Sequence, residues 1–447
     1  MSKEIQGKPT KRFFIDMITR DVSIEDAIID LIDNSIDGAN RMRPAEDSSY
    51  EGLYVKLSIN KDSFMIEDNC GGFSLETAKK YAFRFGRPDN VGPVQNNSVG
   101  RFGIGMKRSL FKMGRLFSVE SKCNADHFIV NVDVDTWEKK TKNIAGENVD
   151  DWNFEYILKT DENQEPDGTK ILVSKLNEEF QKLFKDDCFF TDLEFDIERV
   201  LNFSLSKKLD IYLNEKKIKG DRIELLMSES VKPYFVEGET SGVHYKIIAG
   251  LGQVGTPKDS GWYIFCNNRL VVEADKTSIT GWHVGSVPQW RVIHAMFRGL
   301  LFLDCEDTIK LPLTTTKKGI DATAPVYQNV LPLMEEAILK INFFLNKVTQ
   351  LDPNANDYRD EISKSLNKYS AVELKNYDFS RQIKRKFFEP DLDINNFSTN
   401  LNQKRISYSV DKERAELAKE HANVKSFKDL GLKTFDYYTK MEGLDDE

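Results

Sequence analysis

The stretch SIEDAIIDLIDNSIDGAN, residues 23–40, decides the reading of this chain. Ile24, Ala27, Ile28, Leu31, Ile32 and Ser35 share one face at a period of 3.6, which predicts a helix over 23–37. Ser23 is placed to cap it, with Asp26 three residues on. On a neighbouring stripe, Asp30, Asn34 and Asp37 follow at i, i+4 and i+7 with no cation between them. One reading is a solvated helix face. The other is a row along the edge of a cleft, facing a ligand. Asn supplies a neutral carbonyl oxygen for Mg²⁺, which prefers oxygen ligands and keeps several waters. A carboxylate one turn earlier can orient and deprotonate an attacking water.

Three further elements bear on the choice. "MIEDNCGG" places Asp68 at the end of a predicted strand, followed by Gly71 and Gly72. A carboxylate there can accept from an exocyclic amine such as adenine's, while glycine lets a flat ring approach the backbone; an ordinary Asp-Asn turn is the alternative. "SVGRFGIGMKRSLFKMG" sets Gly100, Gly103 and Gly105 before a helix whose first turn carries Lys107. Glycine-rich backbone leading into a helix N-terminus is an anion site. Neither the GxxxxGK[ST] spacing nor a GxGxxG opening a βαβ unit is present. "PDGTKILV" puts Gly168 and Thr169 at the start of a later strand, where a hydroxyl could reach Asp68.

Composition sets the frame. With 447 residues, 40% hydrophobic and 30% charged, the chain is expected to be soluble, globular and split into two or three domains. No apolar run approaches the ~18 residues that span a bilayer, so no membrane is expected. The opening "MSKEIQGKPTKRFF" has no apolar signal core. Five scattered cysteines without a CxxC pair read as reduced thiols, and the expected location is cytoplasmic. A net charge of −9 argues against coating nucleic acid by bulk charge, though not against a local basic groove.

In this order and spacing, the four elements resemble the GHKL superfamily of ATPases, which includes gyrase, the ninety-kilodalton heat-shock chaperone, histidine kinases, MutL and the MORC proteins. The resemblance spans roughly residues 12–176. It implies an α/β sandwich binding ATP with Mg²⁺. Asp30 falls at the family's general base, Asn34 at its Mg²⁺ ligand and Asp68 at its adenine-reading carboxylate. Gly100, Gly103 and Gly105 match the phosphate loop, with Asp37, Gly72 and Lys107 in the same nucleotide-binding motifs and Thr169 as the hydroxyl supporting Asp68. Residues 86–99 would be the ATP lid. Two departures stand out: the base is usually Glu, one methylene longer than Asp30, and Cys70 replaces the usual first glycine after the adenine aspartate.

Beyond this region the expected class is α+β. An ATP-binding domain over 1–180 is followed by an S5-like transducer domain over 190–350 and a mostly helical extension over 351–447. "KLDIYLNE" is expected among the strands of the second domain, with helices near 289–302 and 324–348. "LPLTTTKKGID" (311–321) resembles the transducer segment that sends a lysine to the γ-phosphate, which would be Lys317, with Lys318 behind it; "FCNNRLVV" (265–272) resembles the transducer's NxR strand. A histidine kinase would need a phosphoacceptor histidine before its ATPase, whereas all five histidines lie after the first motif, so that branch is not expected and the MutL, MORC and chaperone branch is favoured. The resemblance implies a nucleotide-dependent homodimer with an N-terminal strap over 8–22. It also implies a client that is DNA or a partner protein, in DNA handling or phage defence. "RQIKRKFF" (381–388) is the candidate nucleic-acid patch. The alternative is a catalytically weak nucleotide-binding scaffold acting on proteins.

Overall fold

Helix α1 (Lys11–Thr19) opens on Thr10, whose hydroxyl accepts from the Phe13 amide. Helix α2 (Ile24–Met42) is capped by Ser23, as expected, but runs five residues past the predicted end. In this computed structural model the described residues are 7, 9–44, 49–86, 104–144, 147–160, 166–220, 223–253, 257–314, 319–351, 356–390 and 409–444. Gly38 lies inside α2 because a Cβ there would run into the Cys70 carbonyl oxygen, so glycine permits helix and turn to touch.

Strands β1 (Tyr54–Ile59) and β2 (Ser63–Asp68) form a hairpin, and a short helix α3 (Leu75–Thr77) runs into a π-turn over Ala78–Ala82. Helix α4 (Gly105–Met113) leads into β3 (Gly114–Cys123) and β4 (Asp126–Asp133). An insertion follows, with α5 (Val134–Lys139) and the separate hairpin β5 (Thr141–Ile144) and β6 (Glu147–Asp150). Strand β7 (Tyr156–Leu158) forms one edge of the sheet and β8 (Gly168–Leu176) lies at its centre. After α6 (Glu178–Leu183), α7 (Asp187–Val200) and α8 (Asn202–Ser206), β9 (Asp210–Leu213) and β10 (Lys216–Lys217) complete the order β10-β9-β1-β2-β8-β3-β4-β7.

Alternation along these strands buries one sheet face under the helices, with Val55, Leu57 and Ile59 inward on β1 and Phe64, Ile66 and Asp68 inward on β2. Asp68 is therefore the last residue of a core-facing row. The strand "KLDIYLNE", expected in the second domain, belongs here: β9 pairs parallel to β1 and covers what would otherwise be an open edge. The first core accordingly continues to Ile218, past the boundary expected near 180.

The second sheet has the order β15-β14-β16-β13-β11-β17, with β12 also on β13. Its strands are β11 (Glu224–Met227), β12 (Tyr234–Thr240), β13 (Val243–Leu251), β14 (Gly261–Cys266), β15 (Arg269–Asp275), β16 (Phe297–Asp304) and β17 (Asn367–Ser370). The helix expected over 289–302 is instead the central strand β16, preceded by a single 3₁₀ turn. Both neighbours of β16 are strands and nearly all of it is buried, so its sequence is a continuous apolar run rather than an alternating one. Helix α9 (Pro325–Leu351) packs on β13 and β16, close to its expected span. Helices α10 (Asn356–Ser365) and α11 (Ala371–Asn376) flank β17. Residues beyond 350 thus contribute to this core: Phe379 stacks on Phe235 at 4.5 Å, and Phe388 bridges to Lys232.

Residues 391–447 form a compact unit of their own. Its described part is a helix pair, α12 (Lys412–His421) and α13 (Phe427–Met441), capped by Asp411 and Ser426.

Candidate nucleotide site

The site is built around α2, the strand end at Asp68 and the start of α4. Asp68 is buried, and its carboxylate is held by three donors. Ser35 Oγ donates to Oδ2 at 2.7 Å, while the Cys70 and Thr169 amides donate to Oδ1 at 2.9 and 3.2 Å. Burial pushes the carboxyl up, and Ser35, the two amides and the Arg41 charge oppose that shift. A carboxylate offers about four lone-pair sites, so one acceptor position is left for a ligand amine. The expected Thr169 contact exists, but through the backbone amide; the hydroxyl role falls to Ser35, which the helical wheel had assigned to the apolar face.

Around Asp68 lies a cleft walled by Leu31, Ile66, Ile171, Met106 and Phe73, with Asn34, Arg41 and Gly72 at polar points. The turn after Asp68 is fixed from several sides. Gly71 and Gly72 have φ of +82° and +53°, and a Cβ on Gly72 would overlap the Lys122 carbonyl. Arg41 Nη2 donates to the Gly72 carbonyl at 2.9 Å, and Ser121 Oγ both accepts from the Phe73 amide and donates to its carbonyl. Cys70 is buried, with its small side chain against the Tyr54 carbonyl, so it fits where glycine is usual in the resembled family.

The row Asp30–Asn34–Asp37 is graded from buried to exposed. Asp30 is only 3% exposed, Asn34 is open to the cleft and Asp37 is half-buried. The cation that α2 lacks along this row comes from α4: Arg108 Nη2 is ion-paired with Asp30 Oδ2. Gly105 lies against the same oxygen, where a Cβ would stand 3.6 Å away. Asp37 faces Tyr50, whose hydroxyl is pushed up to about 12 by burial and secondarily by the Asp37 charge.

Lys107, expected at the phosphates, has its ammonium on the Ala82 carbonyl, to which it donates at 2.7 Å. It is buried and lies over the Phe85 ring at 5.8 Å. Burial lowers its ammonium to about 7. Successive helix residues point about 100° apart, so Lys107 and its neighbour Arg108 cannot serve the same side. Phe85 in turn sits among Phe14, Trp152, Trp137, Phe111 and Phe154, which ties α1 to the segment leading into the expected lid. Gly100, Gly103 and the lid over 86–99 lie outside the described residues, except Gly86.

A second buried ion pair joins the two sheets. Asp33 on α2 pairs with Arg269, the first residue of β15, and their side chains are 3% and 4% exposed. The β14–β15 turn that presents Arg269 has Asn267 and Asn268 at φ of +46° and +68°. Asn267 is pinned by reciprocal hydrogen bonds with Cys305 at 2.9 and 3.0 Å. Two residues along β15, the Val271 carbonyl accepts from the Gly319 amide at 3.0 Å, and Leu313 bridges to Ile320. Lys317 and Lys318 fall between these anchors, outside the described residues.

Residues 22–167 match the family model described as histidine kinase-, DNA gyrase B- and HSP90-like ATPase. Residues 22–167 form a GHKL-type ATPase domain. No curated protein matches the chain. Domains of this family bind ATP, and residues within the match line most of the cleft around Asp68. For the ion that usually accompanies ATP, the described residues hold no cluster of three His, Cys, Asp or Glu side chains. A lone cleft-facing carboxamide, Asn34, fits Mg²⁺, which takes most of its shell from water and phosphate. No helix among the described residues is long and apolar enough to cross a membrane.

Proposed function

We propose that this chain hydrolyses Mg²⁺-ATP and uses the cycle as a conformational switch between homodimer states. Adenine lies against Asp68, and the phosphates run past Asn34 to Gly100, Gly103, Gly105 and the α4 N-terminus. Asn34 would hold the ion, which would neutralise phosphate charge. Water attacks the γ-phosphorus as its bond to the β-phosphate oxygen breaks and the electron pair leaves with ADP; the water's proton passes to Asp30. Lys317 adds positive charge at the γ-phosphate.

The observation that carries the switch is the run 30–34 on α2. Within five residues it holds the candidate base Asp30, Asp33 locked to the second sheet through Arg269, and the cleft-facing Asn34. A buried ion pair of this kind resists separation, so a shift of α2 on nucleotide closure is carried into β15 and the segment that bears Lys317. The test is phosphate release by wild type, Asp30→Asn and Asn34→Ala, with molecular mass measured with and without a non-hydrolysable ATP analogue. Release lost in both variants, and a mass doubling with the analogue, support the reading. Equal release in all three sinks the hydrolase.

A nucleotide-binding scaffold is the second reading, and the observation favouring it is that Arg108 occupies Asp30. The client we propose is DNA or a partner protein, in a cytoplasmic DNA-handling or antiviral role. The basic run 381–388 gives DNA less support than its sequence does. Arg385 is engaged by Glu336, Lys384 lies 3.9 Å from Glu237, and Lys386 lies over Phe388. DNA affinity that ignores both salt and nucleotide would remove the DNA client.

A further inference from the structure

We infer that Arg108 is an exchangeable clamp that holds Asp30 when nucleotide is absent and transfers to the γ-phosphate when ATP is bound, making it the residue that distinguishes ATP from ADP. The inference rests on the ATPase reading of this site and on Asp30 as its base.

Three observations support it. First, Arg108 stands in the first turn of α4, three residues after the glycine that abuts Asp30 Oδ2, so the start of this helix and the candidate base meet at its side chain. Second, its guanidinium is held incompletely. Nη2 bonds Asp30, while Nε is buried with no hydrogen-bond partner among the described residues. A guanidinium has five donors in a planar fork, a geometry that phosphate oxygens satisfy two at a time. Third, a carboxylate engaged by a guanidinium is a poor acceptor for a water proton, so the resting pair opposes the chemistry proposed for Asp30.

An incoming γ-phosphate resolves all three. It offers the guanidinium a more highly charged partner, satisfies the idle donor, and takes the Arg108 contact off the Asp30 oxygen that would receive the water's proton. ADP has no group at that position, so with ADP bound the clamp stays on Asp30 and the base stays blocked. The short aspartate side chain suits this exchange, since it keeps the carboxylate near α4 rather than extended into the cleft.

The experiment measures equilibrium binding of ADP and of a non-hydrolysable ATP analogue to the full chain, in wild type, Arg108→Ala, Arg108→Lys, Asp30→Asn and the Asp30→Asn/Arg108→Ala double variant. Loss of a charge-assisted contact should weaken analogue binding by roughly tenfold in Arg108→Ala and leave ADP binding within about twofold. Arg108→Lys keeps part of the preference. Asp30→Asn, which removes the competing carboxylate, binds the analogue more tightly than wild type, and this gain disappears in the double variant. A merely structural arginine would weaken both nucleotides together and would give no gain in Asp30→Asn. An unchanged ATP-to-ADP ratio in Arg108→Ala, with wild type binding both nucleotides, overturns the clamp and leaves the ATPase reading standing. Binding of neither nucleotide by wild type overturns both.

Discussion

Replacing Arg269 by methionine removes the cation from a pair whose side chains are 4% and 3% exposed and leaves Asp33 charged in the interior. Breaking a buried pair from one side costs about 3–5 kcal/mol, because the surviving charge gives up that contact while it stays buried. An exposed pair would cost about 0–1 kcal/mol, so burial puts this contact at the upper end. The double variant Asp33→Leu/Arg269→Met removes both charges and should recover most of the loss. The difference between the double variant and the summed singles is then a coupling of several kcal/mol. Urea unfolding of all four proteins gives these values from the shift in midpoint at constant slope. Phosphate release gives a second readout. The double variant should fold and bind ATP yet turn over more slowly than wild type, because Asp33 lies between Asp30 and Asn34 on the helix that Arg269 steadies. A single-variant cost below about 1 kcal/mol, or a coupling near zero, would refute the claim that this pair links the two sheets.

Three other outcomes are expected. Asp68→Asn should weaken ATP binding at least tenfold and abolish its pH dependence. In wild type, burial raises the Asp68 carboxyl, so affinity should fall on acidification at a higher pH than for an exposed aspartate, as titration calorimetry across pH would show. Lys107→Met should change how stability depends on pH. Native Lys107 titrates near 7 against an ordinary 10.5, so between those values the unfolded chain binds the extra proton and wild-type stability rises with pH; that increment, on the order of a few kcal/mol, should be missing from the variant's melting curve. Gly38→Ala drives a methyl into the Cys70 carbonyl and should cost roughly 1–3 kcal/mol in urea unfolding while weakening ATP binding.

Local periodicity made α2 and Asp68 legible. The 3.6 and 2.0 patterns are short-range, and each placed its carboxylate on the right element. What the sequence hid was mostly long-range. Arg108 is 78 residues from Asp30 and Arg269 is 236 from Asp33, and no local pattern joins them. Ser35 was read as part of an apolar face, yet a hydroxyl in that row signals a buried acceptor, here Asp68. The first turn of α4 gives Lys107 to phosphate in a local reading, but which neighbour turns toward α2 depends on helix rotation, and it is Arg108 that reaches Asp30 while Lys107 meets the Ala82 carbonyl. Strand β16 reads as a helix in the sequence because an apolar run buried on both faces carries no period. Strand β9 reads as part of the second domain because pairing parallel to β1 needs a crossover whose destination the sequence does not mark.

The most direct test of the central claim is a crystal structure of the chain with magnesium and a non-hydrolysable ATP analogue. The account predicts the adenine amine within hydrogen-bond distance of Asp68, the ion on Asn34, and the γ-phosphate between Asp30 and the start of α4. A triphosphate bound elsewhere, with Asp68 and Asn34 untouched, would contradict it.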